Sequence, residues 1–142
     1  MRSLVLVVSM LVAVPAPASV QQPQGDDPIA RTLFPPELIM KYHDEVGLDD
    51  SQSRAIKETI QQAQNKFLEL QWQMQTESTK LIKLLNARPT DEAAVLAQLE
   101  KVLGAEREVK RTQIALLIRI KNRLTDAQIG KLSELRRNDP RP

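Results

Sequence analysis

Three features of this 142-residue chain predict an all-α fold built on one long antiparallel helical hairpin with short flanking N- and C-terminal helices. Apolar residues recur at alternating steps of four and three through two long stretches, the spacing of an amphipathic helix with a narrow seam. The stretches are separated by Asn86-Ala87-Arg88-Pro89, a turn signal. Two short segments, Leu48-Asp49-Asp50-Ser51-Gln52 and Leu124-Thr125-Asp126-Ala127-Gln128, read alike and bracket the whole. Each is a capping box: the Asp49 or Thr125 oxygen accepts from the N–H of the third helical residue, and that residue, Gln52 or Gln128, reaches back to the cap N–H. In the second copy Leu124 and Ile129 have the spacing of a hydrophobic staple; the first has Ser53 in the corresponding place.

The elements follow in order. Arg2, an apolar run from Leu4 to Val14 broken by Ser9, and Ala16-Pro17-Ala18 form a signal peptide over 1–18, with cleavage after Ala18. Eleven helical residues cover only about 16 Å against roughly 30 Å of hydrocarbon, so a retained spanning helix is the weaker alternative. Residues 19–34, rich in Gln, Pro, Gly and Asp, read as a flexible arm, and 35–137 as the helical domain. Pro36 and Glu37 open a short helix carrying Leu38, Ile39, Tyr42 and Val46, which Gly47 stops. The first long helix starts at Asp49, with a seam of Ile56, Ile60, Ala63, Phe67, Leu70, Met74, Leu81 and Leu84. The second restarts with Thr90 as cap and continues the seam at Val95, Leu99, Val102, Val109, Leu116 and Ile120. Antiparallel pairing about the turn sets Leu81 near Val95, Phe67 near Val109 and Ile60 near Leu116, and leaves Glu106 and Gln113 as polar breaks facing Leu70 and Ala63. A last helix runs from Asp126 to about Arg136, and 138–142 form a disordered basic tail.

Composition narrows the function. With no Cys and one His, thiol catalysis, disulfides and thiolate metal sites are excluded, and no nucleophile–base pair or phosphate loop is present, so the chain reads as a non-enzyme without a cofactor. Aromatic residues make up 3%, too few for a wide globular core. Charge is polarised: residues 26–100 hold 8 basic and 13 acidic side chains, residues 101–142 hold 11 and 5. The basic segment lacks interleaved aromatics, which speaks against nucleic acid.

In a small, exported, all-helical chain the paired Leu48/Asp49/Gln52 and Leu124/Thr125/Gln128 segments resemble the twin Leu-Thr-x-x-Gln motifs of the Spy/CpxP family of periplasmic stress proteins, over roughly Phe34 to Arg137. The related heavy-metal-resistance and metal-sensor proteins share that fold. Asp49 replaces Thr in the first motif, and Asp caps as well as Thr. The resemblance implies a cradle-like homodimer in the periplasm. It implies ATP-independent binding of unfolded envelope proteins, or modulation of envelope stress by binding the periplasmic domain of a sensor kinase. The alternative is a periplasmic heavy-metal sensor or resistance protein.

Beside the seam of the second long helix runs a flank of Leu103, Arg107, Lys110, Ile114, Leu117 and Lys121, with Ile118 further round. Aliphatic groups alternating with cations suit a client-binding surface, although the short helices or a second subunit would cover the same residues. On the first long helix, Leu68 and Trp72 make an outward patch among glutamines, open to helix or dimer packing or to client contact. Gly104, inside a helix, suits close approach of another backbone. His43, beside Met40, Asp44 and Glu45, is the candidate metal ligand. One imidazole with distant carboxylates would bind a borderline metal weakly.

Overall fold

A computed structural model describes Ile29 and residues 32–139. Five α-helices are bounded among the described residues, and no strand: α1 (Pro36–Lys41), α2 (His43–Val46), α3 (Asp50–Asn86), α4 (Glu92–Lys121) and α5 (Asp126–Asn138). The seam pairs α3 with α4 as an antiparallel hairpin. At 37 and 30 residues these helices run about 55 and 45 Å.

The main core sits at the base of the hairpin, away from its turn. Ile56 and Ala63 of α3 meet Leu116 and Ile120 of α4, and Phe34, Leu38, Ile39, Leu124 and Leu132 close over them from the flanking segments. A two-helix seam cannot bury its apolar stripe on all sides, so α1, α2 and α5 form a second layer there. They cover one flank of the pair, where Ser53 and Ile60 are half-buried; the other flank of α3, with Glu58, Gln62 and Lys66, stays exposed.

Both capping boxes form. The Gln52 N–H donates to Asp49 Oδ1 at 2.7 Å, and the Asp49 N–H donates back to Gln52 Oε1 at 3.1 Å. The corresponding distances at Gln128 and Thr125 are 3.2 and 2.9 Å. Leu124 is buried and Ile129 packs on the same cluster, so the staple forms too.

Several expectations change in detail. The short N-terminal helix is two, α1 and α2, separated at Tyr42, whose φ of −113° and ψ of 20° leave the helical region. Gly47 stops α2 at φ 69°, a left-handed conformation that glycine adopts without Cβ strain. Asp91 rather than Thr90 caps α4, accepting from the Ala94 N–H at 3.1 Å, while the Thr90 hydroxyl donates to the Ala87 carbonyl. Glu106 does not interrupt the seam. It is exposed, and Ala105, 1% exposed, takes its place, because turning a small side chain inward costs far less than desolvating a carboxylate. Gln98 is buried in the seam where Leu99 was expected.

The register nevertheless agrees to within a residue. Gln98 Nε2 donates to the Glu77 carbonyl at 2.9 Å and to Glu77 Oε2 at 2.6 Å, joining positions the seam places side by side. Lys80 Nζ meets Glu77 Oε1 at 2.9 Å. Hydrogen bonds from Lys80 and then Gln98 hold the Glu77 carboxyl below the usual carboxylate range.

The end of the expected arm is packed. Leu33 and Phe34 are buried, because Lys121 Nζ donates to the Thr32 carbonyl at 3.0 Å, Arg136 Nη1 donates to the Leu33 carbonyl at 2.8 Å, and the Arg136 guanidinium lies 5.0 Å over the Phe34 ring. Burial lowers the Arg136 pKa. Asn138 is still helical, and Asp139 pairs with Lys41 at 2.6 Å, so order continues into the expected tail. The expected signal peptide at 1–18 and most of the expected arm, up to Pro28, lie outside the described residues.

Candidate functional site

The paired motifs meet. Gln52 Nε2 donates to Gln128 Oε1 at 2.8 Å, and Gln128 Nε2 donates to Gln52 Oε1 at 3.0 Å. Each nitrogen also donates to a backbone carbonyl two residues before the other motif's cap: Gln52 to Arg123 at 2.7 Å and Gln128 to Gly47 at 3.1 Å. With the cap N–H groups on the two oxygens, each amide uses two donors and two acceptor positions, which fixes its orientation. The motifs thus form a local two-fold clasp tying the start of α3 to the start of α5. Leu48 and Leu124 pack into the core beside it, and all six motif residues act in the fold's own framework.

The expected client residues divide. Lys110, Ile114 and Ile118 border a groove of about 610 Å³ between α3 and α4, together with Gln62, Lys66, Arg111, Thr112, Ala115 and Arg119. A second hollow of about 550 Å³ continues it toward the base, sharing Gln62 and Arg119 and adding Glu58, Thr59 and Arg123. Arg107 is exposed but lies outside the groove. Leu117 is half-buried, and Lys121 is engaged with the Thr32 carbonyl, so the base end of the flank holds the N-terminal segment in place.

Groove cations differ in their partners. Lys66 pairs with Glu69 at 2.9 Å and Arg111 with Glu108 at 3.5 Å. Among the described residues no ion pair engages Lys110, Arg119 or Arg123. Sequence reasoning missed Lys66, Arg111, Arg119 and Arg123. The available signal was the i, i+4, i+8 row Arg111, Ala115, Arg119 on the flank of α4 opposite the one singled out.

Outward from the groove the long helices carry exposed aliphatic rows. Leu68, Trp72 and Ile82 stand out from α3, with Trp72 68% exposed, and Leu96, Leu103 and Ile118 from α4. A Cβ built on Gly104 would meet nothing within 4 Å, so among the described residues no other element's backbone approaches it. His43 is exposed; its Nδ1 lies 2.9 Å from the Met40 carbonyl and its Nε2 3.2 Å from Asp44 Oδ1. Among the described residues no three His, Asp or Glu side chains gather as a metal site, and no helix is long and apolar enough to cross a membrane.

A family model described as heavy-metal resistance matches residues 2–131. No curated protein and no solved structure matches the chain.

Proposed function

We propose, from the premise that the chain belongs to the heavy-metal resistance family, that its part in resistance is played in the periplasm and by contact with other proteins. In this reading it holds unfolded envelope proteins, or the periplasmic domain of a sensor kinase, without ATP and without catalysis. The observation that carries it is the juxtaposition of Lys110, which has no ion pair among the described residues, with Ile114 and Ile118 on the border of an open groove. Uncommitted positive charge draws an acidic partner in, and adjacent aliphatic surface prolongs the contact once water is expelled. Leu68 and Trp72 enlarge the apolar area available to a client or to a second copy of the chain.

Aggregation of a denatured client, followed with and without this protein and with and without Zn²⁺, Cu²⁺ and Ni²⁺, tests the reading. Suppression independent of metal supports it. No suppression at a several-fold molar excess overturns it.

A second reading, direct metal sensing or scavenging, is favoured by the family itself and by His43. Its Nε2 lies 3.2 Å from Asp44 Oδ1, so an imidazole nitrogen and a carboxylate oxygen, both donors a borderline metal accepts, adjoin. Against it stands the sequence, whose single His and absent Cys give a soft or borderline metal few strong donors. Calorimetric titration of the parent and of His43→Ala with Zn²⁺ separates the two. Submicromolar binding lost on that substitution puts the metal reading first.

A further inference from the structure

The cations of the α3–α4 groove have a spacing as well as a sign. Arg119 and Arg111 stand two turns apart, about 12 Å along α4, and Arg123 lies in the turn just after the helix, lining the second hollow. Same-face side chains of an extended peptide recur about every 6.6 Å. Carboxylates at positions i and i+4 of such a peptide therefore meet Arg119 and Arg111 in turn, and Arg123 adds positive charge at the end where the peptide begins. Lys66 faces the same groove from α3, and Lys110 borders it; the acids there are Glu58 and Glu108, and Glu108 is taken up by Arg111. Glu58 repels a carboxylate on the α3 side and so biases an acidic ligand toward the arginines of α4.

We infer that this groove receives an extended acidic segment of a partner protein, with carboxylates on alternate residues, running from Arg123, in the turn after α4, along the helix toward Arg111. Charge complementarity chooses the occupant. From residue 108 to residue 121 α4 rises about 20 Å, room for about six extended residues. The side chains between the carboxylates point away from the arginine row, as alternate residues of an extended peptide do, and the uncharged Gln62 and Thr112 stand within the groove to meet peptide groups. The inference deepens the protein-binding reading of this site and rests on it for the groove being a contact surface at all.

The test uses the full chain and fluorescence anisotropy with labelled peptides of about twelve residues. One alternates Asp with Val; a second has Lys for each Asp; a third has the Asp residues in a single block. The alternating peptide is expected to bind about tenfold more tightly than the Lys peptide and several-fold more tightly than the block. Arg119→Gln with Arg123→Gln should weaken it about tenfold and flatten its salt dependence. Helicity and Tm should hold, because both arginines are exposed and have no ion pair among the described residues. Equal binding of the three peptides, or an unaltered double variant, overturns the inference. So does full displacement by a few millimolar inorganic phosphate, which marks a simple anion site. The aggregation assay keeps the two failures apart. Suppression without peptide discrimination sinks this inference alone, whereas peptide discrimination without suppression sinks the chaperone reading and leaves an acidic-peptide receptor.

Discussion

Gln52 and Gln128, 76 positions apart, exchange hydrogen bonds through both atoms of their side-chain amides, at 2.8 and 3.0 Å. Each also serves its own helix cap, so one pair of residues ends two helices and joins them. Replacing either by Leu leaves the other amide short of a donor and an acceptor in a part-buried place. Each single variant should lose about 1–3 kcal/mol. The double variant should lose less than the sum, with a coupling of about 1 kcal/mol measurable by urea unfolding. Strict additivity would show that the pair contributes nothing jointly.

Thr125→Ala removes the acceptor for the Gln128 N–H and should cost about 1 kcal/mol. Client binding by the folded fraction should stay at the parental level, since Thr125 lies outside the groove. A large loss of binding at unchanged stability would make the motif a contact site.

Glu77 gives stability a pH dependence. Its folded pKa is depressed below the ordinary 4.5 by Lys80 and Gln98, so its contribution is complete above that value and is lost as pH falls through the folded pKa. Gln98→Leu removes two hydrogen bonds to Glu77 and should flatten this acid limb. Tm measured between pH 6 and 3 on parent and variant checks it; parallel curves would refute the link.

Gly104 tests the expected dimer. If nothing but solvent faces it, Gly104→Ala should raise stability by about 1 kcal/mol through helix propensity. If a second copy packs its backbone there, the same change should weaken association in sedimentation equilibrium. The sign of the effect decides whether that face is covered.

Arg107→Gln with Lys110→Gln should slow association with an acidic unfolded client and reduce its salt dependence, while Ile114→Ser should speed dissociation. Lys121 is left out because its ammonium holds the Thr32 carbonyl. Stopped-flow binding, with circular dichroism as the control for fold, reads both effects. Parental rates in both variants would move the contact to Leu68 and Trp72.

Local rules made the helices legible. Periodicity, capping boxes and the Asn86–Pro89 turn depend on neighbours within four residues, and they determined the class, the two long elements, their antiparallel order and a register good to one position. Local rules also identified Gln52 and Gln128 as caps, while their mutual bonding spans 76 residues and depends on how α5 returns to the base of α3. Tertiary structure likewise turned Ala105 rather than Glu106 inward and buried Gln98. Those choices weigh desolvation against what stands opposite in α3, which a heptad count does not contain. Lys121 read as a client-binding cation in the sequence and Arg136 as the end of the last helix, and both became anchors only when the segment around Phe34 folded over them. The groove arginines show the same division. Their spacing along α4 is written in the chain, but a groove requires α3 beside them and the short helices on the opposite flank, and packing alone decides that.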